Sequence, residues 1–398
     1  AITTGDDNIA IGFEALKTED AHGRNIAIGF QALKTQDAGA NAFNTAVGYK
    51  AGTVITTGIK NILVGGNAGL ALTDADFNVG VGHSALATDT QGSKSTAIGF
   101  QSLTTQNFST ATDSHNTAVG YNSGLNVTTG VQNTLIGGLS GDAMTAGGTN
   151  TAVGYLSLSS ETDGVRSTAV GHSALATQNL AGGYQAYNVA VGYNAGTAIT
   201  TGLQNTLIGS LAGDVLSDAD YNVAVGYGSL SADTQGSLST AIGKSALANQ
   251  NFTTATNTFN VAVGAGAGEQ VTTGQENTLI GGLAGDALTA ANYNVTVGYA
   301  TLSADTLGSR SVAIGFEALT TQNFTTATNA YNVAIGFQAG HDITTGQQNT
   351  IIGGLAGDKL TDADYNVVMG LNSLGTDTMG SRSTALGYNT LNAQNFGT

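Results

Sequence analysis

The chain has 398 residues, a net charge of −16, 58 glycines, and no proline, cysteine or tryptophan. That acidity excludes a phosphate-binding surface, which needs a clustered basic face, so nucleic acid is not an expected partner. The absence of cysteine excludes a disulfide framework and a thiolate metal site. No apolar run approaches the roughly 20 residues that span a bilayer, so no membrane span is expected in this segment.

Taken in order, the chain begins with Ile2–Asp7, I-T-T-G-D-D, which matches the tail of a later stretch, Ile55–Lys60. At Asn8 a six-residue word opens, and variants of it recur twenty-two times, through Asn25, Asn44, Asn61, Asn78 and Ser95 to Ser383. Asn116–Tyr121, N-T-A-V-G-Y, is typical. Counting from its Asn or Ser, position 5 is always Gly and position 4 is always aliphatic or Met. A fixed glycine beside a fixed apolar residue at this interval is the mark of a solenoid. From Asn44 the spacings run 17, 17, 17 and 21, so that Asn44, Asn116, Asn188, Asn260 and Asn332 stand 72 residues apart. These coils are named here first to fourth type. The fold expected for residues 1–398 is a single elongated all-β domain, a parallel β-solenoid of about 22 coils. At about 4.8 Å per strand it would be a rod on the order of 100 Å long.

The opening word has strand composition, with β-branched residues and alternation. Its larger apolar residue, position 4, is expected to point inward with positions 2 and 6, leaving the Ala and Gly of positions 3 and 5 on the other face. Position 3 turns large in second-type coils, at Leu63, Leu135, Leu207, Leu279 and Ile351. On that outward stripe they would form a seam for self-association. A second regularity concerns volume. Third- and fourth-type coils have Leu at position 9 and a polar residue at position 12, as in Leu86 with Asp89 and Leu103 with Gln106. First- and second-type coils have Gly at 9 and an apolar residue at 12, as in Gly124 with Val127 and Gly141 with Met144. Each coil thus supplies one large plug to a close-packed interior.

The Asn at position 1 is expected to stack as an amide ladder, Thr or Ser at position 13 as a second ladder, and Gly at position 15 to make turns with positive φ. The four extra residues of the fourth coil, within Gln250–Asn257, are expected to bulge as a loop. Joining Gln394–Thr398 to Ala1–Asp7 completes about one coil, which suggests a rod that continues covalently or by head-to-tail stacking.

No catalytic, cofactor-binding or metal-ligating constellation emerges, and no enzyme or cofactor is expected. His22, His83, His115, His172 and His341 lie in separate coils. The D-A-D words Asp74–Asp76, Asp218–Asp220 and Asp362–Asp364 have the carboxylates a hard cation wants. Sister coils replace them with Ala290-Ala291-Asn292 and Ala146-Gly147-Gly148, so they read as turn chemistry. Aromatics at position 6 (Tyr121, Tyr155, Tyr193, Tyr227) and before the opening Asn (Tyr221, Tyr293, Tyr331, Tyr365) read as cover for coil edges. Arg24, Lys94, Arg166, Arg310 and Arg382 read as charge partners for nearby Asp.

N-T-A-V-G-Y, S-T-A-I-G-F and S-V-A-I-G-F (Ser311–Phe316) resemble the S-V-A-I-G head repeats of trimeric autotransporter adhesins, and are similar to repeats of phage tail-fibre shafts. The resemblance implies a left-handed parallel β-roll assembled as a homotrimer. It implies an extracellular place, on a bacterial surface or a virion tail, and a host-surface or glycan receptor as partner. The function expected is therefore a non-enzymatic fibre segment, structural or adhesive, of the bacterial surface adhesin or filament type, with a tail-fibre shaft as the alternative. Ice binding is a remote third possibility, raised by the recurring Thr at position 13.

Overall fold

A computed structural model describes residues 5–20 and 22–396. The expected join between the two chain ends lies partly outside those residues. The chain forms two compact units, 1–203 and 204–398. Among the described residues every regular element is a strand, and each unit contains eleven three-residue strands at positions 2–4 of successive coils. The strands pair in parallel with no offset, so Thr117, Thr134 and Thr151 lie side by side, as do Val119, Ile136 and Val153. Each unit is thus a parallel β-solenoid, as the repeat predicts. In each unit short strands such as Gly92–Ser93 with Thr112–Asp113, or Gly236–Ser237 with Thr256–Asn257, add a second, local pairing.

The strands are short because the word ends them. At position 5, Gly120 has φ +141°, and a Cβ there would sit 2.4 Å from the carbonyl oxygen of Gly137 in the next coil. Left-handed turns follow at positions 7 and 9 and before each opening Asn, as at Asn122 (φ 54°), Leu103 (φ 48°) and Tyr187 (φ 50°). The room that glycine leaves is therefore filled by the neighbouring coil's backbone, not by another molecule.

The core lies on the opposite side of the strand from the one expected. Position 3 is buried in every coil after the first, where Ala10 is exposed, whether it is Ala118 or Leu135, while Ile136 beside it is 38% exposed. Positions 2 and 4 face outward, and the Leu63, Leu135, Leu207, Leu279 and Ile351 seam is interior. The reason is volume. Plugs from positions 9 and 12 already fill the coil, so position 3 must be small unless a neighbour yields. Second-type coils provide that room: ideal Cβ atoms at Gly124 and Gly141 would each come 2.8 Å from Leu135, and those at Gly52 and Gly69 come 3.0 and 2.8 Å from Leu63. Each large position-3 residue fills the notch left by two glycines at position 9.

The plug exchange itself holds: Leu86, Leu103, Val127 and Met144 are all fully buried. Two smaller expectations need correcting. Gly58, Gly92 and Gly130 at position 15 are not in the left-handed region. They are required by close approach, since a Cβ on Gly92 would lie 2.1 Å from Asp89 Oδ2. The fourth-coil insertion does not simply bulge, because Phe108, Phe252 and Phe324 tuck in at 5–6% exposure.

Candidate functional site: the outward face of the sheet

With the faces assigned, the largest feature on the surface of each unit is a set of parallel rows. In-register pairing stacks like positions at the strand spacing of about 4.8 Å. Position 2 supplies Thr, Val and Ile, and position 4 supplies Val and Ile, with Ile98, Ile208, Ile242 and Ile280 at 38–40% exposure. The position-4 row is apolar, the position-2 row mixes Thr with Val and Ile, and neither contains an ionisable group.

Position 6 carries a third row, of rings. Phe13, Phe30 and Tyr49 stack with centroids 5.3 Å apart; His83, Phe100 and Tyr121 follow at 5.6 and 5.5 Å; Tyr299, Phe316 and Phe337 follow at 5.7 and 5.4 Å. Gly66, Gly138, Ser210, Gly282 and Gly354 in second-type coils interrupt the row; rings fill all three places between interruptions in most stretches, but Lys244 and Ala265 follow Tyr227. His83 and His172 take ring places, His172 lying between Tyr155 and Tyr193. The expected edge packing is present for Tyr121, Tyr155 and Tyr193, which pack against neighbouring rings, whereas Tyr227 has Ser210 and Lys244 as its neighbours in the row and is 57% exposed.

A fourth row runs through the residue before each opening Asn. Here the cations meet rings more than carboxylates, which corrects their expected role. Arg310 sits between Tyr293 and Tyr331, 4.8 and 5.8 Å from their centroids; Arg166 lies over Tyr187 and Arg382 over Tyr365. Such contacts contribute on the order of 0.5–1 kcal/mol when exposed. Lys94 and Arg24 keep carboxylate partners, Asp113 at 2.5 Å and Asp7 at 3.7 Å.

The D-A-D words act as turn braces. Asp76 Oδ1 accepts from the Ile59 amide at 2.8 Å and Asp364 Oδ1 from the Gln347 amide at 2.7 Å, and Asn292 does the same for Gln275. The Thr row at position 13 is engaged as well: Thr73 and Thr361 hydroxyls donate to the carbonyls of Thr90 and Thr378 in the next coil. The Asn ladder is chiefly amide to backbone. Asn44 Oδ1 accepts from the Asn61 amide at 2.8 Å, and Asn61 Nδ2 donates to the Ala75 carbonyl at 2.8 Å.

A polar relay inside the coil escaped sequence reasoning, although its signal, the acid-then-Gln alternation at position 12, was in view. Asp89 Oδ1 accepts the amides of Gly92 and Phe108, and Oδ2 accepts Gln106 Nε2 at 2.5 Å. Gln106 Nε2 also reaches Ser95 Oγ at 2.9 Å, and its Oε1 accepts Asn116 Nδ2 at 2.9 Å. Glu161–Gln178, Asp233–Gln250 and Asp305–Gln322 repeat the pairing. Burial pushes the Asp305 carboxyl upward, against the lowering effect of its Gln322, Phe324 and Gly308 donors. These groups are closed from solvent, so they brace the coil and reach no substrate.

Fold and surface define a parallel β-solenoid repeat protein. No family profile matches the chain, and no curated protein is found to be similar to it. Among the described residues no helix is long and apolar enough to cross a membrane.

Proposed function

We propose that the chain is a non-enzymatic segment of an extracellular fibre, structural or adhesive, of the bacterial surface adhesin or filament type. Copies associate side by side through the outward rows at positions 2, 4 and 6. The observation that carries this reading is the partial exposure of β-branched side chains on every coil, in rows that a lone chain would leave facing water. Contiguous exposed apolar surface beyond a few hundred Å² usually marks a contact, and covering the exposed part of each Val or Ile contributes a fraction of the roughly 1.5–3 kcal/mol that a fully exposed side chain would. The S-V-A-I-G resemblance supplies the number of copies, three, and the receptor as a host-surface or glycan ligand.

The test is sedimentation equilibrium of the full chain and of a variant carrying Ile136→Asp with Ile280→Asp. The wild type is expected at three times the chain mass of 39.6 kDa, and the variant at one chain mass with an unchanged circular dichroism spectrum. A monomeric wild type, or a folded variant that keeps the wild-type mass, would contradict the proposal.

A further inference from the structure

Glu19 and its neighbours depart from the relay that every later third-type coil completes. Glu161 is its counterpart. There Oε2 accepts Gln178 Nε2 at 2.8 Å, and the same nitrogen reaches Ser167 Oγ at 2.8 Å. Around Glu19 both partners are changed. Gln36 Nε2 turns instead to the Thr56 carbonyl at 3.2 Å, and the serine is replaced by Asn25. Glu19 Oε1 still accepts the His22 amide at 3.0 Å. Glu19 Oε2 and Asn25 Nδ2 are left buried with no hydrogen-bond partner, and both residues have 0% exposure. A buried carboxylate oxygen without a donor is costly.

The second departure is at position 13. In later coils a Thr hydroxyl there donates to the Asn of the next coil, as from Thr162 to Asn179 at 2.8 Å and from Thr90 to Asn107 at 3.0 Å. In this pair the two residues are Asp20 and Asp37. One carboxylate oxygen from each of Glu19, Asp20 and Asp37 lies within 4.8 Å of the other two. Lys17 and Lys34 both pair with Glu14, and Arg24 lies near Asp7. His22 Nδ1 borders the group at 3.8 Å from Glu19 Oε1.

We propose that Glu19, Asp20 and Asp37 form a binding site for one divalent hard cation of the calcium class. The ion takes the place of the missing Gln donor at Glu19 Oε2 and is shared with the two carboxylates that replace the Thr–Asn pair. An all-oxygen set with two exposed members suits Ca²⁺, which accepts irregular geometry and retained water, better than Mg²⁺, which demands a tight octahedron. In two of the three D-A-D words the second aspartate, Asp76 or Asp364, is already used by a backbone amide.

The experiment is calorimetric titration of the full chain with CaCl₂ at 150 mM NaCl. One saturable site is expected, with Kd on the order of 10⁻⁴–10⁻³ M, the range of exposed extracellular calcium modules. Glu19→Gln is expected to weaken it at least about tenfold. So is Asp20→Thr with Asp37→Asn, which installs the pair found in the later coils and is expected to melt like the wild type in chelator. Asp74→Asn with Asp76→Asn removes the same charge elsewhere and is expected to leave the site intact. Weak unsaturable binding by the wild type, or equal loss in the Asp74/Asp76 variant, would show general surface acidity and overturn the proposal. Unchanged binding by folded Asp20→Thr/Asp37→Asn would overturn it too.

Discussion

At the scale of single residues the chain accepts strain where packing requires it. Leu33, Leu103 and Leu175 hold φ of 46–50° at position 9, a conformation that costs an ordinary side chain about 1–2 kcal/mol. Complete burial of the leucine contributes roughly 1.5–3 kcal/mol, so the plug outweighs its own backbone. Where the plug comes from position 12 instead, Gly at position 9 removes both the strain and the clash. Thr296 shows the opposite balance. It stands at position 3 with no exposure, and its Oγ1 has no hydrogen-bond partner, whereas the coil 72 residues on has Val368 there. A buried hydroxyl without a partner costs about 1–3 kcal/mol. Thr296→Val keeps the shape and removes the hydroxyl, so it is expected to raise unfolding free energy by about 1–2 kcal/mol, read as a shift in denaturant midpoint with unchanged slope.

At the scale of the coil, a second row of acids sets a pH dependence. Asp142, Asp214, Asp286 and Asp358 occupy position 10 of second-type coils, each with Oδ1 buried and without a partner. Burial pushes each carboxyl above its ordinary range. Between the unfolded and folded pKa values the native state then binds more protons than the unfolded chain, so stability falls as pH rises through that window. Replacing Asp142, Asp214 and Asp286 with Asn is expected to stabilise the chain at pH 7 and to change little at about pH 2, where the carboxyls are protonated in both the folded and the unfolded chain. Equal midpoint shifts at the two pH values would contradict this. The coil is also where the sequence was most and least legible. Period, coil types and the exchange between positions 9 and 12 could be read directly, because each is a regularity of residue size. Which strand face is inside could not be read that way. Ile136 is large and Ala118 small, so ranking by size placed position 4 in the core, whereas the neighbouring plugs leave room only for Ala. Leu135, large and inside, could have given the answer, because it recurs only where two adjacent coils carry Gly at position 9. The Glu19 cluster was hidden for another reason: its three acids are unremarkable singly and meet only through stacking of coils 17 residues apart.

At the scale of the whole molecule, a net charge of −16 sits beside position-2 and position-4 rows that carry no charge, so the proposed association sets long-range repulsion against attraction where those rows meet. The central claim is the assignment of faces, positions 2 and 4 outward and position 3 inward, because the self-association reading rests on it. The chain has no cysteine, so one introduced thiol reports one position. The most direct measurement is maleimide labelling of Ile136→Cys and Leu135→Cys under native conditions across a dilution series. Ile136→Cys is expected to label slowly when concentrated and at the rate of an exposed thiol when dilution separates the copies, while Leu135→Cys stays unlabelled until the chain is denatured. Ready labelling of native Leu135→Cys, with Ile136→Cys protected at every concentration, would contradict the account.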